Sequence, residues 1–152
     1  MHKHKKAGGH IFQQCLPLCV ISPSAAVMHR SLLEETGLFD ESLPACEDYD
    51  LWLRICSRYP VLYIDEALIT KHGGHDDQLS AKHWGMDRFR IHALNKIVSE
   101  GKLNDSDRDA AINMMVKKIN IYLAGAYKHG NTEHVENFKQ LLTKYAGDMV
   151  AA

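Results

Sequence analysis

The chain has 152 residues, 45% of them hydrophobic and 24% charged, with a formal net charge of -1. That length supports one domain with a real core, and the balance is ordinary for a globular protein. It excludes the strong one-sign field that would select nucleic acid, and no apolar run is long enough to span a bilayer.

The chain opens on His2-Lys3-His4-Lys5-Lys6, read as a flexible basic terminus over residues 1–9. Ala7-Gly8-Gly9-His10 is no apolar signal-peptide core, which makes the cytoplasm the expected compartment. There Cys15, Cys19, Cys46 and Cys56 would be reduced thiols. No Cys-x-x-Cys pair is present, so a structural zinc site is not expected.

Ile11–Leu18 is expected to form a short helix ending near Pro17. Ser24–His29 alternates like a strand, and Ser31–Thr36 like a short helix closed by Gly37 in a left-handed cap. After a loop, Glu47–Tyr59 reads as a helix stopped by Pro60, with Asp48, Leu51, Trp52, Ile55, Cys56 and Tyr59 on one face. Val61–Ile64 and Ala67–Lys71 read as short strands about an Asp65-Glu66 turn, followed by the polar loop His72–Gln78.

From residue 82 the texture becomes helical. One helix is predicted over His83–Ser99, with Met86, Phe89, Ala93 and Ile97 inward. A second, capped by Ser106 with Asp109 three residues on, carries the stripe Ala111, Met114, Met115, Ile119, Tyr122 and Ala126 and ends at Gly130. A third, capped by Asn131 or Thr132, carries Val135, Phe138, Leu141, Leu142 and Tyr145. The Met and Tyr stripe is read as core packing.

Three places carry chemistry. Glu47, Asp48 and Asp50 crowd the first turn of a helix, whose dipole favours ionised acids there. An ionised Asp at a helix mouth can take a proton from a hydroxyl, while plain capping would also place an acid there. The loop Lys71–Ser80 holds His72 and His75 among glycines, either a metal-binding loop or an ordinary surface loop. Ser22-Pro23-Ser24 puts two small hydroxyls beside an apolar segment, and alone is only a turn.

In their order and spacing these pieces resemble family 2 glycosyltransferases. The matching stretches are Ile21–Met28, Gly37–Glu41 (Gly-Leu-Phe-Asp-Glu), Glu47–Arg54 (Glu-Asp-x-Asp-Leu-Trp-Leu-Arg) and His75–Ser80, and the resemblance covers roughly residues 10–95. It implies an α/β fold. Residues 10–81 would be the C-terminal part of a GT-A-like domain, with short strands and helices, and residues 82–152 a three-helix extension. It implies that Asp48 is the catalytic base and that Glu47, Ser22 and Ser24 meet the acceptor. His75 would reach a divalent metal (Mn or Mg), which offsets charge on the leaving diphosphate. Trp52 and Arg54 would support the base.

The partners implied are a nucleotide-sugar donor and a saccharide or lipid-linked acceptor, without nucleic acid, in the cytoplasm or at the inner face of the membrane. The family pattern opens with a strand, a nucleotide-binding loop and a strand-end Asp-x-Asp. None precedes Gly8, and the triplets Asp48-Tyr49-Asp50 and Asp105-Ser106-Asp107 follow no strand. The expectation is therefore an acceptor-side portion that is inactive alone, holds no metal tightly, and self-associates through an apolar surface. The alternative is a non-catalytic protein-binding module with a helical docking tail.

Overall fold

The structure, a computed structural model, describes residues 6–70 and 83–149. Its described residues form six helices: α1 (Phe12–Cys15), α2 (Arg30–Thr36), α3 (Glu47–Cys56), α4 (Asp87–Ser99), α5 (Asp105–His129) and α6 (Val135–Met149). One 3-10 turn, Pro23–Ala25, precedes α2. No strand occurs among the described residues, and this corrects the expected α/β, GT-A-like sheet.

The reason lies in backbone pairing. A strand persists only if a neighbour takes up its N–H and C=O groups. Among the described residues that pairing is a single antiparallel bridge between Gly9 and Val61, with N···O distances of 2.7 and 2.9 Å. A side chain at Gly8 would put its Cβ 2.8 Å from the Val61 carbonyl oxygen, so only glycine permits this approach. Leu62 to Thr70 continue without a ladder. In the expected strand Ser24–His29, Pro23 starts a turn closed by Ala25 N–H to Ser22 C=O at 2.9 Å.

The chain divides into two compact units between Trp84 and Gly85. The first is organised around α3, in which every residue from Tyr49 to Cys56 is buried. One side of α3, formed by Leu51, Trp52 and Ile55, packs with Cys19, Ile21, Ala26, Met28 and Leu33. Elsewhere α3 contacts α1, where the Tyr49 hydroxyl donates to the Leu16 carbonyl at 2.6 Å. The helix ends at Cys56, earlier than the expected Tyr59.

The second unit holds α4, α5 and α6, with α5 in contact with both others. Its core includes Ile91, Leu94, Met115, Ile119, Tyr122 and Phe138. The cap of α5 is Asn104, not Ser106: Asn104 Oδ1 accepts from Asp107 N–H at 2.9 Å and its Nδ2 donates to Asp107 Oδ2 at 2.8 Å. Gly130 closes α5 in the expected left-handed conformation. The ammonium of buried Lys118 is paired with Asp87 at 3.1 Å, so α5 carries a charge into this unit without leaving it uncompensated.

Candidate active site

The three acids at the start of α3 differ in what surrounds them. Asp50 faces inward, almost fully buried, where an unpaired carboxylate would be costly. Arg54, one turn on, meets it with Nε at 3.0 Å and Nη2 at 2.8 Å from Oδ2. The same guanidinium donates through Nη1 to the Thr36 and Gly37 carbonyls and through Nη2 to that of Leu38 at 2.7 Å. All five of its N–H donors are thereby engaged.

The ion pair thus ties the end of α2 to α3 through main-chain carbonyls. Gly37 has φ +85°, and a Cβ there would lie 3.1 Å from Arg54 Nη1, which explains glycine at this position. Its ψ of 161° is extended, so it is not the left-handed cap the sequence suggested. The side chains of Leu38 and Phe39 stay exposed.

Asp48 and Glu47 are half-buried. Asp48 Oδ1 accepts from the Tyr49 N–H at 2.7 Å, one of the first-turn donors that a helix leaves open. Its Oδ2 lies 3.1 Å from the thiol of Cys19, which donates. The N-cap position itself belongs to Cys46, which makes no side-chain cap bond. Cys46 sits in the left-handed region at φ 63°, unusual for a residue with a Cβ. This turn delivers Glu47 and Asp48 at the helix mouth.

Of the other candidate residues, Ser22 caps the 3-10 turn and Ser24 lies within it, and their hydroxyls hydrogen-bond each other at 3.1 Å. They lie on the segment whose Ile21, Ala26 and Met28 pack on the Trp52 side of α3. His75, with the whole loop Lys71–Ser80, lies outside the described residues. Among the described residues no three His, Cys, Asp or Glu side chains converge as a metal site would require. The buried indole N–H of Trp52 has no hydrogen-bond partner there, and its surroundings are apolar.

Cys19 was not a candidate from the sequence, because a contact between residues 29 positions apart has no spacing signature. Burial first, then the hydrogen bond to Asp48, pushes the Cys19 thiol well above its ordinary range. The Cys15 thiol is also raised, by its hydrogen bond to Cys56 and by burial.

No family model matches the chain, and no solved structure does. Among curated proteins it is similar to an uncharacterized glycosyltransferase of Rickettsia conorii, 36% identical over 69 residues, which are 44% of this chain and 11% of that protein. Uncharacterized glycosyltransferases of Rickettsia felis and Rickettsia bellii are each 42% identical over 48 residues, 32% of this chain and 8% and 7% of theirs. The chain thus matches about a tenth of the length of these relatives or less. The similarity supports a relation to glycosyltransferases. Among the described residues no helix is long and apolar enough to cross a membrane.

Proposed function

We propose that this chain supplies the acceptor side of an inverting glycosyltransferase of the family 2 type, with Asp48 as its general base. The observation that supports this best is the division of labour at the mouth of α3. Asp50 is consumed by Arg54, whereas Asp48 is half-buried and held at each oxygen by a neutral donor. A carboxylate so placed keeps lone pairs for an acceptor hydroxyl.

In the reaction, Asp48 takes the hydroxyl proton as the acceptor oxygen bonds to the anomeric carbon. The bond from that carbon to the diphosphate breaks on the opposite face, and the diphosphate leaves with the electron pair. Glu47 and the hydroxyls of Ser22 and Ser24 orient the acceptor. A divalent metal, Mn or Mg, would offset charge on the leaving group, with His75 as a ligand. The described residues form no set to hold it, and proton transfer and acceptor orientation fall to the chain's own side chains.

The test uses the gene in its own genome, with wild type compared with Asp48→Asn. Lysates receive labelled nucleotide sugars, and label entering saccharide or lipid-linked acceptors is measured. Transfer should fall by ~100-fold or more while the protein accumulates normally. Glu47→Gln should weaken acceptor use more mildly, and His75→Ala should be partly restored by added metal. An active, normally folded Asp48→Asn protein would refute the base. Calorimetry of the isolated chain with nucleoside diphosphates and manganese should show weak or no binding. Micromolar affinity would overturn the expectation that it is inactive alone.

A further inference from the structure

We propose that Cys19 is the positioning residue for Asp48, a hydrogen-bond donor that holds the carboxylate while it is ionised and moves to a second acceptor once it is protonated. This rests on the reading of Asp48 as the base. The Cys19 sulfur lies 3.1 Å from Asp48 Oδ2 and also 3.1 Å from the Ile21 carbonyl oxygen. A thiol has one hydrogen, so the two acceptors compete for it. An ionised carboxylate is the stronger acceptor, and the S–H turns to Asp48 in the resting state.

With Tyr49 N–H on Oδ1 and the thiol on Oδ2, rotation of the carboxylate is restrained from both ends. When Asp48 takes up the acceptor proton it becomes neutral and loses that advantage. The Ile21 carbonyl then receives the S–H without any heavy atom having to travel, so neither state strands a half-buried donor. A residue with this duty must keep its own proton at neutral pH. The upward displacement of the Cys19 thiol, caused by burial and by Asp48, is in keeping with that. Cys19 and Ile21 both pack against the Trp52 side of α3, the helix that carries Asp48.

Two measurements test this. The first needs no catalysis: alkylation of Cys19 by iodoacetamide at mildly alkaline pH, located by mass spectrometry, in the full chain. Asp48→Asn removes the neighbouring negative charge, and the thiolate fraction should rise, speeding alkylation about tenfold or more. Glu47→Gln should leave the rate within about twofold, and unchanged labelling of buried Cys15, Cys46 and Cys56 verifies the fold. An unchanged Cys19 rate in Asp48→Asn overturns the contact. The second is the transfer assay at saturating acceptor. Cys19→Ala should lower the rate about tenfold with little change in acceptor KM, and Cys19→Ser, which keeps a donor, should recover most of it. If Cys19→Ala transfers normally while Asp48→Asn does not, or if Ser fails as badly as Ala, the positioning role is wrong and the base stands. If Asp48→Asn itself transfers, the base reading has failed instead.

Discussion

Arg54 concentrates the energetics of the first unit in one side chain. Its guanidinium is buried, faces a buried carboxylate, and satisfies three carbonyls that would otherwise lack this donor. Removing one member of such a pair leaves the other charge uncompensated, at a cost of about 3–5 kcal/mol. Arg54→Ala should lower stability by that order in urea unfolding. Arg54→Lys should recover little, because an ammonium has no planar fork to reach Asp50 and the carbonyls of residues 36 to 38 together. A loss below about 1 kcal/mol for Arg54→Ala would mean that the clamp is not what holds α2 to α3. Cys19 makes the opposite kind of contribution, one that pH can switch. Its thiol is raised in the folded state, so the native protein holds that proton more tightly than the unfolded chain does. Stability from this source is fully present below the ordinary value of 9.0 and is lost as pH climbs beyond it. Melting temperature measured from pH 7 to pH 10 should therefore fall on the alkaline side, and Cys19→Ser should flatten the fall. An equal slope in the variant would remove Cys19 from the explanation.

At the scale of elements, the helices were legible because their signals are local. The apolar spacing of Ala111, Met115, Ile119, Tyr122 and Ala126 marks one face of α5, and these residues are buried. Gly130 stops that helix for a reason visible in its own backbone. Its start was less legible: Asn104 and Ser106 are both good caps, and only the realised Asn104–Asp107 pairing separates them. Strands were not legible: the expected Val61–Ile64 and Ala67–Lys71 have strand-like composition, but a strand is a property of two segments. The candidate site divides in the same way. Asp50 and Arg54 are four apart on a helix, so their pairing follows from helical geometry. The Cys19–Asp48 contact depends on how distant segments pack. The unladdered segment also leaves Leu62, Ile64, Leu68 and Ile69 between 52% and 89% exposed, more apolar side chain than a short stretch ordinarily offers to water. Light scattering of the purified chain should show association that grows with concentration, and Leu62→Lys with Ile64→Lys should reduce it. A monodisperse monomer at all concentrations would contradict this.

At the scale of the molecule, the two units differ in how they are stabilised. The first adds long-range polar staples to its apolar core: Arg54 to the carbonyls of residues 36 to 38, Tyr49 to Leu16, and Gly9 to Val61. The second relies on apolar faces along α4, α5 and α6, supplemented by Tyr145 to Asn95 at 2.9 Å and by the Tyr122–Phe138 edge contact at 4.9 Å. At 13 and 15 residues, α4 and α6 would be marginal alone in water and owe their persistence to such packing. The second unit has its own core and its own pairing of buried Lys118 with half-buried Asp87, and contacts in the chain cluster on either side of Gly85. A peptide of residues 85–152 should therefore fold without the rest. Its size is close to the lower limit for a lone core, so modest stability, on the order of 3–5 kcal/mol, is the expectation. Circular dichroism should show helix that melts in one cooperative step. Lys118→Met should leave that transition in place, since removing the charge from α5 exposes only the half-buried Asp87, which also pairs with Arg90 at 2.9 Å. Met115→Ala, which opens a cavity among fully buried side chains, should weaken it by about 2–5 kcal/mol and abolish cooperative melting. A disordered peptide, or one whose signal declines gradually from low temperature, would show that this unit depends on the preceding residues for its fold.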